Sequence, residues 1–192
     1  VILGGGRVIK MTWGTWTTSP VTFLTQMYAA GAGPFFDALS YHPYSYTMKF
    51  SEGMYQTDSP VDQLVRMRQI MLANNDARKK VWVTEFGAPT NRVSEANQAV
   101  LISDMIAAWR ELPYGGPLMI YTTRDLNSAS YNDDDRFGVY RSNWTPKPAQ
   151  LVIQSPPGPD AVFQRFAANT DPRHGEVLSP VFAATGTVWA QL

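Results

Sequence analysis

Val81-Trp82-Val83-Thr84-Glu85-Phe86-Gly87 is the stretch that decides the fold. Its first four residues are β-branched or aromatic and read as a buried strand, and Gly87-Ala88-Pro89-Thr90 reads as the loop leaving it. A carboxylate at the end of an otherwise apolar strand costs free energy unless it is hydrogen-bonded, so Glu85 calls for an explanation. Upstream, Ser59-Pro60 opens a helix with Val61, Leu64, Val65, Met67, Ile70, Met71 and Leu72 apolar, closed by Asn74-Asn75. Downstream, Ser94 caps a helix whose stripe is Val100, Leu101, Met105, Ile106 and Trp109. A strand at Pro117–Tyr121 and a short helix at Ala149–Gln154 follow. Earlier still, Phe36–His42 reads as a strand and Ser19-Pro20 as the start of a helix ending at Gly31. Val1-Ile2-Leu3 reads as a strand running into a Gly4-Gly5-Gly6 loop. Strands alternating with helices imply consecutive β/α units and a parallel sheet, an α/β fold.

Composition narrows the function. The 192 residues carry 16 Lys+Arg and 16 Asp+Glu, so no basic field exists to hold a phosphate backbone, and nucleic acid is not an expected partner. No apolar run approaches the roughly 18 residues of a membrane span. With no Cys and 2 His, disulfides, thiolate chemistry and multi-histidine metal centres are not expected, and no cofactor or metal is. Gly4-Gly5-Gly6 lacks the Gly-Lys-Ser/Thr of a phosphate loop. The run Asp133-Asp134-Asp135 lacks the spacing of an EF-hand and reads as a solvated loop.

In parallel α/β folds ligands bind at the C-terminal ends of the strands. Those ends carry Glu85, then Tyr41-His42-Pro43-Tyr44, then Tyr121-Thr122-Thr123-Arg124-Asp125. Trp13 and Trp16 follow the first strand. Aromatic faces stack on sugar rings while carboxylates and imidazole bond hydroxyls, so the inventory suits a carbohydrate site. Glu85 is either a nucleophile or a structural carboxylate capping the next loop. His42 is either its orienting partner, with Tyr44, or a hydrogen-bonded structural histidine. Trp13 and Trp16 serve equally as sugar platforms or as packing. Tyr121, Arg124 and Asp125 complete the candidate substrate-binding set, and Tyr41, Tyr46 and Tyr131 read as packing or surface residues.

These motifs resemble, in joint order, the clan A glycoside hydrolases of families 5 and 39. Val81–Gly87 is similar to their seventh strand, and Phe36–Tyr44 to the sixth. Ser94–Ala99 is similar to the helix start after strand seven. Tyr121–Asp125, Phe137-Gly138-Val139-Tyr140 and Lys147-Pro148-Ala149 are similar to strand eight with its closing loop and helix. The resemblance spans about residues 1–154. It implies strands five to eight of a (β/α)8 barrel, with Glu85 as nucleophile and retaining hydrolysis of a β-linked oligo- or polysaccharide. The acid/base Glu of the resemblance follows an Asn, and no Asn-Glu pair occurs in this chain.

A full barrel takes about 250 residues. The expectation is therefore a half barrel whose exposed edges call for the missing N-terminal half or for self-association. The N-terminus reads as continuing upstream or as a short edge strand. Ser155-Pro156-Pro157-Gly158-Pro159 reads as a linker, and residues 155–192 as that linker with a small appendage. An extracellular or cell-envelope bacterial location suits a glycan substrate, the signal peptide lying outside this chain. The competing readings are a carbohydrate-binding remnant without catalysis and a truncated reading frame.

Overall fold

The structure is a computed structural model that describes residues 2–5, 18–156 and 188–190. Five parallel strands lie in sequence order: β1 (Ile2–Gly5), β2 (Ala38–Tyr41), β3 (Lys80–Phe86), β4 (Gly115–Ile120) and β5 (Val188–Ala190). The helices between them are α1 (Pro20–Ala29), α2 (Pro60–Ala73), α3 (Glu95–Arg110) and α4 (Pro148–Gln154). The α/β class and the parallel order are those expected, and the arrangement is consistent with part of a (β/α) barrel.

Local chemistry sets the helix starts. Ser19, Ser59 and Ser94 sit in extended backbone and accept the amides of Thr22, Asp62 and Asn97 at 3.1 Å each, satisfying one free donor per helix. Pro20 and Pro60 occupy first-turn positions, where a missing N–H costs nothing. At the exits the chain turns through left-handed backbone at Gly31 (φ 79°) and Asn75 (φ 62°).

Alternate strand residues build one core with the helices. Leu39 and Tyr41 of β2, Val81, Val83 and Phe86 of β3, and Leu118 and Ile120 of β4 pack with Leu24, Leu64, Met67, Ile102, Met105 and Ile106. The opposite parity, including Ser40, Trp82 and Thr84, faces away from the helices. Tyr41 is buried, its hydroxyl 2.8 Å from the Pro60 carbonyl and 3.1 Å from the Gln63 amide oxygen, which ties β2 to the start of α2.

Several expectations change. β1 includes Gly4 and Gly5, which pair with Ser40 and Tyr41, because parallel pairing uses backbone groups and tolerates glycine where a neighbour supplies the ladder. The Pro43–Thr57 loop contains a 3-10 segment, Phe50–Tyr55, pinned to α3 by Asp104, which accepts from the Ser51 amide and hydroxyl. Val100 does not join the α3 stripe. It is 47% exposed, and Gln98 is fully buried in place of an apolar residue. The sheet has a fifth strand: residues 188–190 pair in parallel with β4, Leu118 opposite Val188. The remainder of the tail lies outside the described residues.

Candidate active site

Strand β3 breaks its own alternation just where Glu85 sits. Val83 and Phe86 are both buried on the helix side although they stand three positions apart, and the register with β4 shifts between them. An irregularity of this kind re-aims side chains. It leaves two consecutive residues, Thr84 and Glu85, half-buried and turned from the core.

Two side chains from the end of β2 meet Glu85. The Tyr44 hydroxyl donates to Glu85 Oε2 at 3.0 Å, and His42 Nδ1 lies 3.5 Å from the same oxygen. On its other edge, His42 Nε2 is 2.7 Å from Thr84 Oγ1, which is itself hydrogen-bonded to Ser40 Oγ. Burial lowers the His42 pKa below its ordinary value, and the Glu85 charge opposes that shift. Burial raises the Tyr44 hydroxyl well above its usual range, reinforced by the charge and hydrogen bond of Glu85, so Tyr44 stays protonated as a donor.

An aromatic wall stands over this carboxylate. The Phe137 ring makes edge contacts with Tyr44 (5.8 Å), Tyr46 (6.1 Å) and Tyr121 (5.2 Å), and Tyr44 also meets Tyr46 at 6.2 Å and His42 at 6.4 Å. Burial raises the Tyr121 hydroxyl too, with the Asp134 and Glu85 charges adding to the effect. The wall depends on a close backbone approach: a Cβ at Gly87 would overlap the Tyr121 carbonyl oxygen and touch Phe137. The Tyr121–Thr122 peptide is cis.

The remaining candidates go elsewhere. Asp125 is completely buried. It accepts from Lys147 Nζ, the Gly138 amide and the Ser128 hydroxyl, at 2.8 Å each. Arg124 donates to the Ser142 carbonyl at 2.9 Å and lies 4.9 Å from the Trp144 ring centre. Both act within the segment that follows β4, where Asp125 takes protein donors in place of sugar hydroxyls. Trp13 and Trp16 lie outside the described residues. Among the described residues there is no cluster of three or more His, Cys, Asp or Glu side chains able to hold a metal. No described helix is long and apolar enough to cross a membrane.

Sequence reasoning missed four contributors. Ser40 and Thr84 carry ordinary hydroxyls, although Ser40 shares a strand face with His42 at a spacing of two. Tyr46 repeats that spacing after Tyr44. Phe137 stood inside a recognised motif without a role. The support behind the wall was equally hidden: the fully buried Gln98 donates to the carbonyls of Ala88, Phe137 and Gly138 at 2.9, 3.2 and 3.2 Å, clamping the loops after β3 and β4 together.

No protein-family model matches the sequence, and no curated protein does. Among solved structures, the chain is similar to a family 39 glycoside hydrolase from the gut symbiont Bacteroides cellulosilyticus, with a TM-score of 0.55 and 25% identity over 66% of this chain. The chain spans 28% of the length of that protein. The fold is glycoside-hydrolase-like. This neighbour supports the family 39 side of the resemblance; family 5 has no counterpart in it.

Proposed function

We propose that this chain carries the nucleophile side of a retaining glycoside hydrolase acting on a β-linked oligo- or polysaccharide. The observation that carries the reading is the convergence of Tyr44 and His42 on one oxygen of a strand-end glutamate beneath an aromatic wall. The Tyr44 hydrogen bond and the His42 contact both fall on Oε2, and attack on the anomeric carbon falls to Oε1. The bond to the aglycone oxygen breaks as the Glu85 ester forms, and water then cleaves that ester. Tyr44, Tyr46, Phe137 and Tyr121 offer the apolar surface for a sugar ring. Trp13 and Trp16 are proposed as further subsites. The proton for the leaving oxygen comes from a carboxylic acid outside this chain, on the remaining part of a barrel or on a partner that covers the sheet face turned away from the helices. An extracellular or cell-envelope setting goes with that substrate.

The test uses dinitrophenyl β-glycosides of several sugars, whose leaving group departs without protonation. Release of dinitrophenolate is expected from the wild type, in a burst if the ester hydrolyses slowly, and is lost in Glu85→Gln with the urea midpoint little changed. Equal release from Glu85→Gln overturns the assignment. Oligosaccharide binding with no release from any substrate favours a carbohydrate-binding role instead.

A further inference from the structure

We propose that Thr84 and Ser40 are positioning residues that lock His42 in one neutral tautomer, the one with its proton on Nδ1, aimed at Glu85. The proposal deepens the reading of Glu85 as nucleophile and rests on it for its catalytic meaning. A neutral ring has two tautomers. In the first, the Ser40 hydroxyl donates to Thr84 Oγ1, and Thr84 donates to His42 Nε2 across 2.7 Å. His42 Nδ1–H then points at Glu85 Oε2, 3.5 Å away. In the second, Nε2–H donates to Thr84 Oγ1, and the bare Nδ1 lone pair faces a carboxylate oxygen. That second arrangement sets two acceptors against each other in a half-buried site, where local charge is poorly screened. The first arrangement opposes no lone pairs and gives each ring nitrogen a partner of the opposite kind.

A third state, the doubly protonated ring, is disfavoured by the burial that lowers the His42 pKa. The β3 irregularity gives the device its geometry. Thr84 and Glu85 are chain neighbours, and strict alternation would place them on opposite faces. The break at Val83–Phe86 brings both to the face that His42 shares with Ser40, so one imidazole touches one residue with each edge. Second partners of this kind fix which ring nitrogen carries the proton.

The tautomer is directly readable. The chain has 2 histidines, His42 and His174, so a long-range nitrogen–proton NMR spectrum of the ring-labelled protein holds two resolvable patterns. The expected result at neutral pH is a pyrrole-like Nδ1 and a pyridine-like Nε2 for His42, assigned by the pattern lost in His42→Gln. Thr84→Val removes the donor to Nε2 and is expected to move the ring to a mixture or to the Nε2–H form. Thr84→Ser restores the wild-type pattern. A pyrrole-like Nε2 in the wild type overturns the proposal, as does an unchanged pattern in a folded Thr84→Val. The wild-type spectrum needs no variant, so a misfolded Thr84→Val leaves the test intact. Dinitrophenolate release separates the two claims: the Nδ1–H tautomer without Glu85-dependent release sinks the hydrolase reading and leaves the lock standing. Release with the opposite tautomer does the reverse.

Discussion

Replacing Lys147 by Met probes the buried framework behind the aromatic wall. Lys147 is 1% exposed and Asp125 is not exposed at all, and their charged atoms are 2.8 Å apart. Lys147 Nζ also donates to Thr90 Oγ1 at 3.0 Å. The pair therefore joins the loop after β3, the segment after β4 and the start of α4. Lys147→Met keeps most of the apolar stem and deletes the charge, leaving the Asp125 carboxylate buried without its counterion. Breaking such a pair costs about 3–5 kcal/mol. Asp125 keeps its Gly138 and Ser128 donors, each a hydrogen bond to a charged group, so the lower end, about 3 kcal/mol, is expected. At a slope of about 2 kcal/mol per molar, the urea midpoint falls by about 1.5 M. In a double-mutant cycle with Asp125→Leu, the double variant is expected to be more stable than the sum of the singles by about 2 kcal/mol, because the second change removes the orphaned charge. A loss under about 1 kcal/mol for Lys147→Met, or strict additivity, refutes the reasoning, since a solvated or unpaired lysine behaves that way.

Gly87→Ala forces a Cβ onto the Tyr121 carbonyl, and backbone on both sides must give; a loss of about 1–3 kcal/mol in urea unfolding and a change in near-ultraviolet circular dichroism of the tyrosine cluster are expected, and an unchanged midpoint contradicts the close approach. The pH dependence of stability has a defined sign at His42. Burial lowers its folded pKa below the ordinary 6.5, so the unfolded chain takes up the proton first as pH falls. Stability at this residue is full above about pH 6.5 and declines below it. The wild type is expected to lose more stability than His42→Gln between about pH 7 and about pH 5, and parallel curves contradict the shift.

Much of the architecture was legible because it rests on local signals. Three serine caps, two first-turn prolines and the apolar spacing of α1 and α2 placed the helices, and the β-branched and aromatic residues at 81–84 placed β3. His42, Tyr44 and Glu85 were readable as strand-end residues, and they do meet. What stayed illegible depends on tertiary context. Lys147 and Gln98 are polar residues that sequence alone puts on the surface, and they are buried only because loops distant in sequence supply partners. Asp125 looked like a site carboxylate because it follows a strand; its neighbours Gly138 and Lys147, far along the chain, turn it inward. The fifth strand escaped notice because Val188-Trp189-Ala190 is three residues long and draws its order from β4. The pairing of Thr84 and Glu85 on one face required the register shift, which no alternation rule predicts.

The most direct measurement is mass spectrometry of the chain after incubation with a dinitrophenyl β-glycoside fluorinated beside the anomeric carbon. The fluorine slows ester hydrolysis, and the leaving group needs no acid partner, so the glycosyl group accumulates on the nucleophile. The account predicts a single glycosyl addition located to Glu85 by peptide mapping and absent in Glu85→Gln. Addition at another carboxylate, or the same addition in Glu85→Gln, would contradict it.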